Sequence, residues 1–382
     1  MNANQQIMRF CSRPRMEIFD IVKQFTDTVV VFLDYDNLVQ YVYSLYDGKY
    51  VVMDGLIDIN KDRKMIMLDV KELATMLIED VIDYLYYLRY TVKQITGLET
   101  FVILFSAIGR SKYHTRVDDS YKANRRLGFY NLKDPVLVYN TQLVFSAKRL
   151  AVKIMNELIP LIPCCTSVVL NNWEADFIPK FAESYSTGVL FLTCSNDSDM
   201  LQLVSDKHFV WRRILTKKER KDVLVTLDNV VLHMFKGVNP KKYGDHVEKV
   251  RKFYSLYKAI MGDPGDNVIG LHRYGPVKTL NTIVKLVGEY NLSEEDLIDD
   301  DKLCYKLLNV FDEETTLHVF DNFLLVDFNR ICYAFKCYED IDTVHERLLN
   351  IKDKGLITET IQAFNLLPNF RLSNKLHTLL TM

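Results

Sequence analysis

Residues 189–206 read VLFLTCSNDSDMLQLVSD, an apolar run that ends in two carboxylates two positions apart. Gly188 precedes the run and polar residues follow it, a pattern that predicts a buried strand of a parallel sheet. Alternate residues on an extended backbone point the same way, so we expect Asp197 and Asp199 to converge at the carboxyl edge of the sheet, where open α/β folds place their sites. An isolated pair of this kind is equally typical of a helix cap or a solvated loop.

Acidic residues follow other predicted strands in the same way. Asp34 ends the apolar run TVVVFLD, and Glu174 and Asp176 come shortly after the run SVVL. In MGDPGDN, Asp263 and Asp266 are three residues apart, which places them on one face of a turn or of a first helical turn. Carboxylates gathered from four segments repel one another unless cations lie between them, and Mg²⁺ or Mn²⁺ suits oxygen ligands. We expect two such ions about 4 Å apart, the arrangement that hydrolyses phosphodiesters.

Two segments between these motifs have patterns of their own. Residues 69–95 carry apolar side chains at helical spacing and predict a long amphipathic helix, whose tyrosines we expect to pack in the core. Residues 41–69 are mixed, and glycines within them mark turns that are typical of a hairpin.

Composition sets broad limits on function. The 382 residues are 48% hydrophobic and 26% charged, which is ordinary for a soluble globular protein. No apolar run approaches the roughly 20 residues needed to span a bilayer, and the first residues lack the apolar core of a signal peptide. The seven cysteines lack zinc-site spacing. We therefore expect a cytoplasmic monomer with reduced thiols and no membrane contact.

The formal net charge of −2 conceals local basic stretches. Residues 110–153 contain ten Lys and Arg against three acidic residues, 207–221 seven against one, and 236–258 seven against two. Local basic surfaces around an acidic site are typical of a protein that follows a phosphate backbone. Each stretch taken alone also fits a solvated helix face.

Five segments occur in a characteristic order: FLDYDNL, YKANR, WEAD, SNDSDMLQLVSD and GDPGDNVIGLHRYGPVKT. In order and approximate spacing they resemble the motifs of the 5′ nuclease family, which includes flap endonucleases, bacteriophage 5′-3′ exonucleases and the 5′ nuclease domain of bacterial DNA polymerases. The resemblance covers about residues 28–330. In length the chain is most similar to the free-standing bacteriophage enzymes, which would place it in the cytoplasm of a host cell.

The resemblance implies an α/β, PIN-like 5′ nuclease domain with a central, mainly parallel sheet at 28–221, after an N-terminal extension at 1–27. Within it, a helical arch or gateway at about 110–160 would admit a single-stranded 5′ end. A helical C-terminal region at 222–382 would follow, packed closely on the sheet domain. This region would contain a helix-hairpin-helix at about 258–285, and the rest of the chain would buttress it.

The resemblance also implies a role for each motif. The metal ligands would be the seven carboxylates Asp34, Glu174, Asp176, Asp197, Asp199, Asp263 and Asp266. Lys122 and Arg125 would steady the scissile phosphate at the arch, although a basic surface turn is the alternative. Tyr121 or Tyr130 would stack on an unpaired base or pack in the core.

Residues outside the acidic motifs would contact the nucleic acid. We expect this role for two residues of a helix predicted at 144–161, Lys148 and Arg149, and the resemblance extends it to four residues of the hairpin: Gly270, Arg273, Gly275 and Lys278. Glycine allows a hairpin backbone to approach a duplex phosphate closely or to adopt positive φ. A K⁺ ion at the hairpin would assist this contact.

The sequence departs from the family pattern at several positions. Ser106 and Phe177 stand where the family has aspartates, so two carboxylates are missing, and Arg273 stands where a glycine is usual. The residues that are candidates to replace the missing ligands are Asp36, or Asp118 with Asp119, although a loop setting favours plain solvation.

Three functions are consistent with these features. The first is an Mg²⁺-dependent 5′-3′ exonuclease or flap endonuclease that cuts flap, nicked or gapped DNA, or RNA primers, during DNA replication, with a single-strand-binding protein or a sliding clamp as partner. The second is a weakened member of the family that binds DNA junctions as a replication accessory protein. The third is a single-strand ribonuclease of related fold, which would have no need of a duplex-binding hairpin.

Overall fold

The protein is described by a computed structural model. It describes residues 16–38, 52–53, 56–58, 65–67, 70–108, 111–123, 135–171, 173–183, 189–215, 220–238, 246–330 and 374–381. Arg125, Tyr130 and residues 124–134 of the expected arch lie outside this part of the chain.

Strands and helices are mixed up to Val225, and the described elements after it are all helices. The strands are β1 (Thr28–Asp34), β2 (Val52–Met53), β3 (Leu56–Asp58), β4 (Met65–Met67), β5 (Glu99–Ile108), β6 (Cys165–Asn171), β7 (Leu190–Cys194), β8 (His208–Leu215) and β9 (Arg220–Val225). The helices are α1 (Met16–Lys23), α2 (Val70–Tyr86), α3 (Val92–Thr96), α4 (Lys112–Val117), α5 (Pro135–Leu158), α6 (Phe177–Glu183), α7 (Val230–Met234), α8 (His246–Arg251), α9 (Tyr254–Met261), α10 (Pro276–Gly288), α11 (Asp300–Leu307), α12 (Glu313–Val326) and α13 (Asn374–Thr381).

The main sheet has the strand order β6-β5-β1-β7-β8-β9. Its strands are parallel except β9, which pairs with β8 in the antiparallel sense. The β1 and β7 strands are apolar almost throughout because both faces of a parallel sheet are buried. The predicted central, mainly parallel sheet and the predicted strand before Asp197 are therefore confirmed.

Each face of the sheet contributes to its own core. Val30 and Phe32 of β1 belong to a core shared with α9, α10 and α12, whereas Val29, Val31 and Leu33 belong to a core shared with α2, α5 and α13. This alternation follows the two-residue period of a strand. The C-terminal helices thus share a core with one face of the sheet, and the expected division at residue 221 lies within β9.

The long helix predicted at 69–95 is present as α2, a π-helical segment at Tyr87–Thr91, and α3. The π segment buries Arg89, which donates to the Thr100 carbonyl at 2.5 Å and pairs with Glu99 at 3.4 Å. Tyr84 stacks on the buried Trp211, as expected for a packing role. The predicted hairpin at 41–69 corresponds to the small antiparallel sheet β2-β3-β4.

The last described helix, α13, differs from expectation. It packs on α2 rather than on the C-terminal helices, with Leu376 and Leu379 buried and Lys375 paired with Asp83 at 2.9 Å. The apolar side chains at i and i+3 form the stripe that faces α2. Among the described residues no helix has the length and apolar character required to cross a membrane.

Candidate metal and nucleic-acid site

Asp34 is the last residue of β1 and lies at the carboxyl edge of the sheet. It is 9% exposed and accepts hydrogen bonds from the Ser195 hydroxyl at 2.8 Å and the Asn37 backbone N–H at 2.9 Å. Burial raises the pKa of Asp34 to about 7, since the two hydrogen bonds only partly offset it and the Asp36 charge adds to it. A cation beside this carboxyl would stabilise its charged form.

The turn between β6 and α6 carries Glu174 and Asp176. Glu174 is paired with the Lys122 ammonium and accepts a hydrogen bond from the Tyr121 hydroxyl at 3.2 Å. Burial opposes ionisation of Glu174, but the Lys122 charge and hydrogen bonds outweigh it and lower the pKa. The pKa of Asp176 is raised well above its usual range by burial, then by the charges of Asp197 and Glu174.

The pair Asp197 and Asp199 does not converge as the sequence predicted. The Asp197 carboxylate accepts a hydrogen bond from the Asp199 backbone N–H at 2.9 Å, and the chain enters a 3₁₀ turn at Asp199–Leu203. Ser198 between them has helical torsion angles, φ −72° and ψ −21°. The backbone is therefore not extended, so the prediction of parallel side chains is wrong. Asp197 lies near Asp34 and Asp176, whereas Asp199 belongs to a second acidic group.

The second acidic group consists of Asp199, Asp263 and Asp266. Each offers one carboxylate oxygen within 4.8 Å of the other two. The ammonium of Lys258, on α9, pairs with Asp199 and lies 2.7 Å from Asp263. Lys258 is only 6% exposed, so its charge is held among these carboxylates. Lys258 was not among the site residues predicted from the sequence.

Asp34, Glu174, Asp176 and Asp197 form the first acidic group, which opens into a cavity of about 260 Å³, the carboxylate cavity. Its lining residues come from the ends of β1 and β5, from α4 and the segment after it, and from the loops that follow β1, β5, β6 and β7: Asp34, Asp36, Ala107, Ser111, Thr115, Tyr121, Lys122, Trp173, Glu174, Ala175, Asp176 and Asp197.

The two acidic groups meet at Lys122. Its ammonium pairs with Glu174 of the first group and lies 3.5 Å from Asp266 of the second. The Tyr121 hydroxyl also links them, since it donates to Asp266 at 3.0 Å. Tyr121 is buried and stacks on His114 with ring centroids 4.4 Å apart, so its contacts are those of the packing alternative rather than of an exposed stacking platform.

The donor set fits hard divalent cations. It consists of carboxylates with a nearby hydroxyl, and ligands of this kind suit Mg²⁺ and Mn²⁺. Burial is the main cause of the raised pKa values of Asp34 and Asp176, and the charges of neighbouring carboxylates add to it. Added positive charge is what such a group of carboxylates requires.

Ser106 and Phe177, the two residues that stand where carboxylates were expected, lie in different surroundings. Phe177 is fully buried against Trp173, His114 and Phe328, so this position belongs to the core. Ser106 is buried in β5, and its neighbour Ala107 is the residue that lines the cavity. At Phe177 a carboxylate would have to enter an aromatic cluster.

Asp36 is the replacement candidate that lies at the carboxylate cavity, where it pairs with Lys148 at 3.8 Å. Asp118 instead accepts hydrogen bonds from the backbone N–H and the hydroxyl of Ser120 at 2.7 and 2.9 Å. Asp119 is exposed. Lys148 thus reaches the rim of the cavity, whereas Arg149 is exposed on α5.

Residues 262–275 connect α9 to α10 and are called the hairpin loop. Gly262 has φ +75°, and a Cβ at Gly270 would lie 2.0 Å from the Met261 carbonyl oxygen. Arg273 occupies the left-handed region at φ +62°, whereas Gly275 has an ordinary φ of −95°. Close approach therefore requires glycine at 270, whereas Arg273 occupies a left-handed conformation that glycine would adopt more readily.

The first turn of α10 follows the hairpin loop directly. Lys278 lies in this turn, with its ammonium 3.8 Å from the centre of the Tyr274 ring. This contact holds a positive charge beside the loop.

Comparison with solved structures finds this fold in bacteriophage T5 nucleases. The T5 5′-exonuclease with bound divalent zinc ions matches with a TM-score of 0.54 and 16% sequence identity, over 85% of this chain and 100% of that chain. The T5 flap endonuclease in a pseudo-enzyme–product complex with DNA and metal ions matches with a TM-score of 0.53 and 16% identity, over the same 85% and 100%. No protein-family model and no curated protein matches the sequence. The likeness confirms the predicted α/β fold.

Proposed function

We propose that this chain, which shares its fold with the T5 nucleases, is a metal-dependent 5′ nuclease. It would hydrolyse phosphodiesters near the 5′ ends of flap, nicked or gapped DNA, or of RNA primers, during DNA replication. The observation that carries the proposal is the position of Lys122, whose ammonium lies between two groups of carboxylates contributed by separate segments. A charge in that position suits a negatively charged phosphate that enters among metal ligands.

The proposed metal ligands form the two groups found in the structure. Asp34, Glu174, Asp176 and Asp197 would hold one side, and Asp199, Asp263 and Asp266 the other. Two Mg²⁺ or Mn²⁺ ions, when bound, would lower the pKa of a water molecule and stabilise the leaving oxygen. We propose that Lys122 then leaves Glu174 and contacts the phosphate, where its charge stabilises the transition state. Arg125 would assist it.

The proposed nucleic-acid contacts lie on either side of the carboxylate cavity. Lys148 at the rim, with Arg149, would contact the strand that enters the cavity. The hairpin loop would bind the duplex through Gly270, Arg273, Gly275 and Lys278. Backbone carbonyls of the loop would hold a K⁺ ion that assists the contact with a phosphate. The proposed partner is DNA with a flap, nick or gap, or an RNA/DNA hybrid of the same kind. A single-strand-binding protein or a sliding clamp would bring the enzyme to this substrate. The enzyme would act as a monomer in the cytoplasm of the host cell.

Cleavage of a 5′-labelled flap duplex tests the proposal. The wild-type protein should cut in Mg²⁺ or Mn²⁺ and not in EDTA, and Asp199→Asn should lose cleavage while keeping its fold and DNA affinity. This substitution removes one charge from the second acidic group at nearly constant volume. Tight binding without cutting under any metal would replace the proposal with the accessory-protein alternative, which the buried Ser106 and Phe177 would then explain.

A further inference from the structure

Residues 118–123, called the gateway segment, lie against the start of the hairpin loop. The Lys122 backbone N–H donates to the Asp266 carbonyl at 2.8 Å. The Asn267 side-chain amide donates to the Ser120 carbonyl at 2.9 Å and to its hydroxyl at 3.3 Å. These bonds join parts of the chain more than 140 residues apart. The hairpin loop and the backbone of Lys122 are therefore joined directly by hydrogen bonds.

The contact also fixes unusual torsion angles on both sides. Lys122 has φ +57° and Asn267 has φ +63°, and both lie in the left-handed region. Asparagine tolerates this region better than other residues with a Cβ, whereas lysine does not. A lysine remains in such a conformation only when neighbouring contacts hold it there. One of those contacts is the hydrogen bond of the Asn267 amide to Ser120, which lies two residues before Lys122.

The hairpin loop around Asn267 is itself rigidly connected. Asp263 and Val268 exchange both backbone hydrogen bonds at 2.9 Å, so the turn between them is closed. The buried Asn322 of α12 donates to the Ala259 carbonyl at 2.9 Å and the Ile269 carbonyl at 2.7 Å. Asn267 therefore lies in a turn that is closed by backbone hydrogen bonds, in a loop that α12 holds at Ile269.

We propose that Asn267 is a positioning residue that couples duplex binding at the hairpin loop to the position of Lys122 in the carboxylate cavity. The inference rests on the proposed function for its catalytic consequence. Asn267 contacts neither metal nor phosphate in this scheme; it acts through Ser120 and the backbone of Lys122. A duplex bound to the hairpin loop would hold the gateway segment, and the ammonium with it, in place for the phosphate.

Asn267→Gly tests the proposal because glycine accepts φ +63° and lacks the amide. Asn291→Gly is the matched control, since Asn291 also has a positive φ of 52° but lies after α10. We expect hydrogen exchange at the Lys122 amide of the free protein to accelerate about five- to tenfold in Asn267→Gly, because the variant loses the hydrogen bonds of the Asn267 amide to Ser120. The Asn291→Gly protein should exchange at the wild-type rate.

Single-turnover cleavage gives the functional readout. Wild type and Asn291→Gly should cut flap substrates with a long duplex arm faster than those with a short arm, and Asn267→Gly should lose this difference. Lys122→Ala should also lower the cleavage rate by a smaller factor in the Asn267→Gly protein than in the wild type. A purely structural role for Asn267 would slow both substrates equally and leave the cost of Lys122→Ala unchanged, and that result would overturn the inference.

The two readouts separate this inference from the proposed function. If the wild-type protein cuts no substrate, the proposed function fails, and the exchange of the Lys122 amide still decides whether Asn267 positions the gateway segment. Unchanged exchange in Asn267→Gly would overturn the inference, whatever the wild-type protein cuts.

Discussion

Two lysines pair with carboxylates of both acidic groups of the site. Lys258 is buried between Asp199 and Asp263, and Lys122 extends from the gateway segment between Glu174 and Asp266. Their settings differ, because Lys258 lies on a helix of the core and Lys122 lies on a loop at a cavity. Of the two, Lys122 has the freedom to exchange a carboxylate for a phosphate.

Replacement of Lys122 with alanine should slow cleavage far more than it weakens binding. The ammonium stabilises charge that develops in the transition state, and the loss of one such group costs on the order of 10²-fold in rate. Single-turnover rates and equilibrium binding of one flap substrate measure the two effects. Lys148→Ala is the comparison, because Lys148 lies at the cavity rim and pairs with Asp36 rather than with Glu174. Equal losses in rate and affinity for Lys122→Ala would reduce it to a general phosphate contact.

The left-handed conformation of Arg273 predicts opposite effects on stability and on DNA binding. Arg273→Gly should stabilise the protein by about 0.5–1 kcal/mol, since the strain relieved at φ +62° exceeds the added entropy of the unfolded chain. The same change should weaken duplex binding. It should also reduce the slope of log affinity against log salt concentration by about one, because one phosphate contact is lost. Denaturant unfolding and a salt titration measure these effects. Arg273→Lys retains both the charge and the strain, so a stability gain in that variant would contradict the explanation.

At the scale of elements, the close contact of α9 with the hairpin loop depends on Gly270. A Cβ at this position would lie 2.0 Å from the Met261 carbonyl oxygen and 2.7 Å from the Gly262 nitrogen, both backbone atoms that cannot rotate away. Gly270→Ala should therefore destabilise the fold by about 2–4 kcal/mol and lower duplex affinity. The control is Gly288→Ala in α10, where a Cβ meets nothing within 4 Å and alanine favours the helix. Similar melting temperatures for both variants would exclude this close contact.

The elements that could be predicted from the sequence are those whose signal is local. The apolar runs of β1 and β7 identify buried parallel strands, and helical spacing identifies α2. The 3₁₀ turn at Asp199–Leu203 has no such signal, since distant contacts stabilise it. The Arg212 guanidinium donates to the Asn196 carbonyl at 2.6 Å, and Lys258 holds the Asp199 carboxylate. The extended-strand expectation for this pair was wrong for that reason.

The same limit applies to the candidate site. The acidic motifs place the carboxylates, but which of them group together depends on how the loops turn. Lys258 had an available signal, because a charged residue within the apolar helix YSLYKAIM needs a buried partner. The left-handed torsion angles of Lys122 and Asn267 depend on a contact across more than 140 residues, which no local pattern specifies.

At the scale of the whole molecule, the helices on one face of the sheet support the site, and those on the other face contribute to stability. One face carries the C-terminal helices that support the second acidic group and the hairpin loop, and the other is covered by α2, α5 and α13. Since α13 packs on α2 and contributes no residue to the lining of the carboxylate cavity, its contribution should be to stability alone.

Leu376→Ala tests whether α13 affects stability without affecting cleavage. Leu376 is fully buried against α2, so its truncation should destabilise the protein by about 2–4 kcal/mol through lost apolar contact and the cavity left behind. Leu317→Ala is the matched control, because Leu317 is 55% exposed on α12 and its loss should change stability by less than about 0.5 kcal/mol. Denaturant unfolding measures both variants, and cleavage per folded molecule should equal that of the wild type in each. A Leu376→Ala protein that remains folded yet cuts more slowly would show that α13 reaches the site through α2, and the two faces of the sheet would not act independently.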